Sequence, residues 1–289
     1  MLHLVVPRPA GESLTGSEGI GDMAETLTPA DFRHTGFALE NHVARVTLDR
    51  PARRNALNHR AYAELEAAFR FAAAEPDIRC VIVTGADPAF CAGDDVREMM
   101  ANVDPSERRG REIRPAPAAI AALDCPCPVI AAVNGPAMGW GMELALYADI
   151  RIASERAQFA EFFVRRGLVS DLGGFCRLPA LVGPSKAAEL LFTGDTIDAA
   201  EALRIGLVGE VVDHDGLLPR AAALAARIAA NPPLAVRALK EGLRRAAGAE
   251  PQNIGRWAIA TIYRLMETDD HREGVASFLE KRAPVFRGA

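Results

Sequence analysis

The stretch GPAMGWGMELAL begins at Gly135 and sets three glycines within seven residues, followed by one glutamate, Glu143, among Met142, Leu144, Ala145 and Leu146. Glycine weakens a helix and a carboxylate resists burial, so the combination needs a chemical reason. The first N–H groups of a helix have no partner within it and carry partial positive charge. Glycines at that point let a ligand oxygen come close. The chemistry that fits is an anion or oxyanion site, with Glu143 one turn into the helix as the polar working group. On this stretch alone, the alternative is a glycine-rich packing turn and a glutamate facing solvent. A second glycine-bearing loop, ADPAFCAGDDV from Ala86, also leads into a short helix. Asp94 and Asp95 stand at its head, where helix capping is an ordinary use of aspartate and the one expected of Asp95.

Other chemistries find less support. The cysteines are Cys80, Cys91, Cys125, Cys127 and Cys176, and Cys80 and Cys127 fall in strand-like runs where buried free thiols are common. Cys125-Pro-Cys127 has no second Cys pair or His cluster to complete a metal site. His3, His34, His42, His59, His214 and His271 are scattered, and none lies in the glycine-rich motifs. Neither a metal site nor a His-based triad is expected.

The elements that must hold these residues follow from periodicity. PVIAAVNG, from Pro128, reads as a buried strand closed by an Asn-Gly turn signal. A helix from Gly139 to about Tyr147 and a strand-like DIRIAS come after it. Earlier, FALENHVARVTLDR reads as a β-hairpin, with Ala44, Val46 and Leu48 alternating against Arg45, Thr47 and Asp49. RPARRNALN is a loop. Tyr62, Leu65, Phe69 and Ala72 mark one face of a helix ended by Pro76, and IRCVIVTG is another buried strand. An Arg/Pro-rich stretch and a further helix separate it from Pro128. Strand–loop–helix units thus recur, and ligands in such architectures gather at the carboxyl ends of strands.

Beyond about Gly183 the strand signal fades. PSKAAELLFTG and DAAEALRIGLV read as helices, the second with Asp198 and Glu201 at capping-box spacing and a stop at Gly206. Three more helical stretches follow, broken at ANPP. The expected division is a loose extension over 1–30, a core over 31–200 and a helical region over 201–289. Met23 is a second candidate start.

The chain has 289 residues and a net charge of −5, which gives no reason to expect nucleic acid or an anionic membrane as partner. No apolar run has the length of a bilayer span, and the first residues lack a basic leader. A cytoplasmic protein is expected.

Taken together, RPARRNAL, AFCAGDDV, AAVNGPAMGWGMELALYADIRIAS, LFTGDTIDAAEALRIGLV and EGVASFLEKRAPVF resemble the crotonase superfamily, the enoyl-CoA hydratase/isomerase group, over roughly residues 35–288. The resemblance implies an α/β fold, a spiral of ββα units with a C-terminal helical trimerisation region. It also implies trimers or dimers of trimers that bind acyl-CoA thioesters. Coenzyme A then arrives as part of the substrate, and no separate cofactor is expected. By position, the two N–H groups that grip the thioester oxygen fall on Asp94 and Trp140, where the family commonly has a small residue. Trp140 adds bulk beside the acyl group. The Asp94 carboxylate repels an oxyanion unless it turns away.

Glu143 matches the first catalytic glutamate of the hydratases. The second hydratase glutamate is replaced by Phe163. Glu161 lies two residues earlier, which on a strand points to a different depth. Asp171 matches the acidic position of several family isomerases, with a turn or cap before Gly173 and Gly174 as its alternative use. Hydration needs two carboxylates around one water, whereas a double-bond shift needs an acid and a base and no water. Isomerisation is therefore the preferred reading, with hydration and thioester hydrolysis as alternatives and a non-catalytic acyl-CoA or RNA-binding member as a third. The dehalogenase-like branch pairs its aspartate with a histidine that is missing here. The loop Arg53–Arg54–Asn55–Ala56 matches the CoA-binding loop. Backbone near Ala92 is expected at the adenine, and Arg53, Arg54 and Lys281 at the phosphates. Gly93, Asp95, Gly139 and Phe163 complete the expected substrate contacts.

Overall fold

The fold is that of a computed structural model, which describes residue 24, residues 26–101 and residues 115–289. Most of the expected N-terminal extension and of the Arg/Pro-rich stretch lies outside the described residues.

Strands β1 (Thr35–Glu40) and β2 (Val43–Leu48) form the expected antiparallel hairpin. Asn41 and His42 turn it with φ of 50° and 66°, a two-residue geometry whose twist suits the flanking strands. Helix α1 (His59–Ala74) starts at Asn58, whose side chain accepts the Ala61 N–H, and it buries Leu65, Phe69 and Ala72. Then come β3 (Cys80–Gly85), α2 (Val96–Met99), α3 (Pro117–Asp124), β4 (Val129–Val133), β5 (Pro136–Met138) and α4 (Trp140–Tyr147). Next are β6 (Ile150–Ser154), β7 (Gln158–Ala160), α5 (Leu178–Val182), α6 (Pro184–Thr193), β8 (Ile197–Asp198), α7 (Ala199–Arg204) and β9 (Glu210–Val212). Helices α8 (Leu217–Ala229), α9 (Pro233–Ala246), α10 (Pro251–Met266) and α11 (Asp269–Glu280) end the chain.

The main sheet has the order β1-β2-β3-β4-β6-β9, parallel from β2 onward. A small sheet, β5-β7-β8, stands beside it. Both faces of the main sheet are covered, which is why its central strands read as continuous apolar runs. Val81, Val83, Val129 and Ala131 pack on the side of α1, α3 and α4. Cys80, Ile82, Ile130 and Ile152 pack against Leu217, Ala221 and Ala225 of α8. This mixed, mostly parallel architecture is the α/β spiral expected of the resemblance.

Three details differ from expectation. Strands continue beyond Gly183, because β8 and β9 are edge segments of two and three residues, too short to show a period. Four helices rather than three follow Leu217. At α7, Asp198 accepts the Glu201 N–H, but the Glu201 carboxylate turns to Arg204 and Lys186, so only half of the capping box forms. Lys240 of α9 is buried, pairs with Asp149 at 2.7 Å and donates to the Cys127 carbonyl at 2.9 Å, tying the C-terminal helices to the start of β4. Among the described residues no helix is long and apolar enough to cross a membrane.

Candidate active site

Strands β3 and β4 are parallel neighbours, so the segments leaving their carboxyl ends emerge side by side. The Cys91 N–H donates to the Pro136 carbonyl at 3.0 Å and the Met138 N–H donates to the Cys91 carbonyl at 2.9 Å. The Leu57 N–H donates to the Gly93 carbonyl at 2.8 Å. The loop before α2 is therefore zipped to β5 on one side and to residue 57 on the other. Glycine permits the approach: a β-carbon on Gly141 would stand 2.1 Å from the Cys91 carbonyl oxygen, and one on Gly135 would stand 2.5 Å from that of Pro88. Gly93 and Gly139 hold φ of 85° and 52°, where a side chain is strained.

This seam brings the backbones at Asp94 and Trp140 to one pocket, which Gly93, Gly139 and Phe163 also line. The ideal β-position of Gly93 is 3.4 Å from the Trp140 nitrogen. Trp140 is the first residue of α4, so its N–H has no acceptor inside the helix. Tyr62 donates to Asp94 Oδ1 at 2.5 Å and meets the Trp140 ring edge-on at 4.8 Å. Burial and the Asp94 charge push the Tyr62 hydroxyl well above its ordinary value, so it stays a donor.

Glu143 lies one turn into α4 and is fully buried. The segment 170–174 wraps its carboxylate with donors. Ser170 Oγ donates to Oε1 at 2.6 Å, the Asp171 and Gly174 N–H groups donate to Oε1 at 3.0 and 3.1 Å, and the Gly173 N–H donates to Oε2 at 2.6 Å. β-Carbons on Gly173 and Gly174 would fall 2.3 Å from Glu143 Oε2 and 1.8 Å from Ser170 Oγ. Burial pushes the Glu143 carboxyl up, and the Ser170 and Gly174 donors pull it back down. Glu161 sits across Ser170, with Oε2 3.1 Å from Oγ. Burial, and then the Glu143 charge, push it up to about 9. Asp171 is half-buried, and its Oδ1 accepts the Leu172 N–H at 2.8 Å. The pocket thus presents the first N–H of α4 to a ligand oxygen, and Glu143, Glu161 and Asp171 form a carboxylate cluster joined through residues 170–174.

The expected residues divide into groups. Gly93, Asp94, Gly139, Trp140, Phe163 and Ala92 line the pocket, and Glu143 and Asp171 meet in the carboxylate cluster. The Ala92 N–H is spent on the Arg54 carbonyl. Arg53 and Arg54 are exposed beside this loop, whereas Lys281 is exposed at the end of α11. Asn55 is buried, and its amide donates to the Ala86 and Ala89 carbonyls at 2.7 and 2.6 Å. Its side chain braces the loop, and the Ala56 carbonyl accepts from Arg50. Asp95 occupies the cap position of α2 but its side chain caps nothing; Oδ2 pairs with Arg50 at 3.2 Å.

Sequence reasoning set Glu161 at another depth and passed over Ser170. Residues 162–166 form a 3-10 turn rather than strand; Glu161, just before it, is buried against Ser170 while Phe163 lines the pocket, so the two do lie at different depths. Phe162, Arg166 and Leu168 of the same segment reach the pocket, also unforeseen. The only early signal for Ser170 was its place beside Asp171 and the Gly173-Gly174 pair.

Comparison with known proteins identifies the family of this fold. The family model described as enoyl-CoA hydratase/isomerase matches residues 38–289. The crotonyl-CoA hydratase of Syntrophomonas wolfei is 39% identical over 261 residues, covering 86% of this chain and 95% of that protein. The (E)-benzylidenesuccinyl-CoA hydratase of Thauera aromatica is 36% identical over 259 residues, covering 87% and 98%. The crystal structure of an enoyl-CoA hydratase from Bacillus anthracis superposes with a TM-score of 0.83 at 33% identity, covering 89% of this chain and all of that one.

Proposed function

The chain belongs to the enoyl-CoA hydratase/isomerase family and is an enzyme of it, and from that premise we propose that it shifts the double bond of an enoyl-CoA thioester. The thioester oxygen lies against the N–H groups of Asp94 and Trp140. A carboxylate of the Asp171–Glu143 pair removes a proton from the carbon beside the carbonyl. The electron pair moves onto the oxygen, where a preorganised N–H donor is worth about 3–4 kcal/mol. The proton returns on the γ-carbon, so the double bond has moved and nothing is added or lost. Asp171, the half-exposed member, meets the substrate first. The thioester brings its own coenzyme A, with Arg53 and Arg54 beside the entry and Lys281 as a further phosphate partner.

The observation that carries this reading is Phe163, an apolar ring lining the pocket where hydration needs a second carboxylate. A second reading, addition of water to a 2-enoyl-CoA, draws support from Glu161, since it puts another glutamate in the cluster. A panel of 2-enoyl- and 3-enoyl-CoA thioesters separates them. Isomerisation requires that 3-enoyl and 2-enoyl forms interconvert faster than a 3-hydroxyacyl product appears, and that Phe163→Glu raises hydration. Fast hydration by the wild type with inert 3-enoyl substrates overturns it, and release of free CoA thiol marks a hydrolase.

The assembly proposed is a trimer or a dimer of trimers. Leu239, Leu243, Phe278 and Leu279 on the C-terminal helices are 68–82% exposed in the single chain, and apolar residues so displayed mark an interaction surface. Light scattering is expected to give a trimer or hexamer mass; a clean monomer at micromolar concentration contradicts it.

A further inference from the structure

Ser170 stands between two buried carboxyl groups and has one proton to give. Its Oγ is 2.6 Å from Glu143 Oε1 and 3.1 Å from Glu161 Oε2, and both glutamates are essentially without solvent. If Ser170 donates to Glu143, its Oγ can only accept from Glu161. Two bare acceptors would then face each other, unless Glu161 carries a proton. We propose that Glu143 and Glu161 share one proton through Ser170, with Glu161 the neutral acid and Glu143 the ionised partner, in the chain Glu161–OH to Ser170 Oγ–H to the Glu143 carboxylate.

The donor count fixes which glutamate is charged. Glu143 accepts four hydrogen bonds, three of them from backbone N–H groups, the environment that best holds a carboxylate anion. Glu161 has one neighbour on Oε2, and its Oε1 is buried with no hydrogen-bond partner. A bare carbonyl oxygen of a neutral acid costs far less than a bare oxygen of an anion. The other titratable groups facing the pair are Asp171, from the turn, and Tyr147, from α4. Neither supplies positive charge, and burial together with Glu143 holds the Tyr147 hydroxyl in its neutral form. A second negative charge across Ser170 is therefore disfavoured from every side.

This inference rests on the proposed function only in its consequence: Glu143 stands ionised as a base without first losing a proton. Glu161 and Ser170 are positioning residues, acting through Glu143. Above about pH 9 Glu161 ionises, Ser170 can no longer serve both carboxylates, and the arrangement fails.

The test needs no substrate. Infrared spectra of the wild-type enzyme are expected to contain a carboxylic-acid carbonyl stretch at neutral pH that disappears on titration through about pH 9. Glu161→Gln, whose amide can donate to Ser170 as the acid does, is expected to lack the band throughout. A wild-type spectrum without an acid band at neutral pH overturns the proposal, as does a band that survives in Glu161→Gln. If the enzyme turns over an enoyl-CoA, kcat/KM is expected to decline above about pH 9 in the wild type and to stay flat there in Glu161→Gln. A decline equal in both proteins also overturns it. Failure of the substrate panel leaves the infrared result standing, so the two readings fail separately.

Discussion

Asp171→Asn is expected to lower turnover of a 3-enoyl-CoA by about 10²–10⁴-fold, the range for a positioned acid or base, with thioester affinity held within several-fold. The substitution is mild elsewhere. The Asp171 N–H still donates to Glu143, and an amide oxygen still accepts the Leu172 N–H, so the wrap of residues 170–174 persists. What is lost is proton exchange at the half-exposed carboxyl. Deuterium uptake at the substrate α-carbon in heavy water separates that step from product release, and the variant is expected to lose it in proportion to turnover. Wild-type exchange and turnover in a folded Asp171→Asn protein would leave Asp171 as a turn residue and remove the proton transfer proposed for it.

Gly141→Ala is expected to reduce turnover by about 10²–10³-fold, the effect of losing one oxyanion donor, and to lower stability as well. The added carbon would stand 2.1 Å from the Cys91 carbonyl oxygen. Backbone cannot rotate away as a long side chain can. The loop holding Asp94 or the start of α4 must retreat, and a displacement of about 1 Å from productive geometry costs on the order of 10²-fold. Gly209→Ala is the matched control, because its β-carbon meets only an ordinary contact, 3.7 Å from the Arg151 carbonyl. Single-turnover kinetics on both variants, with circular dichroism to confirm folding, check the claim. Equal turnover in the two would mean that the seam does not set the donor positions.

The parts legible in the sequence were those with a local period. The hairpin, the two-faced strands β3 and β4 and the stripe of α1 all declare themselves within a few residues. The inward turn of Glu143 was legible only once the family resemblance was added, because the stretch alone left a solvent-facing glutamate open. Strands β5, β7, β8 and β9 were not legible, since two or three residues cannot display alternation. Glu161 does lie at a different depth from Phe163, buried against Ser170 while Phe163 lines the pocket, but its place beside Glu143 depends on a residue later in the chain and was not legible. Asp95 was misjudged because its partner, Arg50, is 45 positions earlier in the chain. The Tyr62 to Asp94 bond and the Ser170 bridge likewise join residues that no window spans.

The backbone seam between the loop before α2 and the start of α4 separates two kinds of inheritance. In the proposed reading the oxygen is held by main chain, and the contacts that fix that main chain run through backbone groups and glycines. The side chains at 94, 140 and 163 form the pocket wall and can be rewritten without editing the donors. Gly85, Gly135 and Gly141 have no such latitude, because each would drive a β-carbon to within 2.1–2.5 Å of a carbonyl oxygen. A library that randomises these wall positions would thus vary the acyl group, and at 163 the choice between isomerisation and hydration, on an intact backbone frame, whereas one that admits alanine at the three glycines would chiefly sample broken frames.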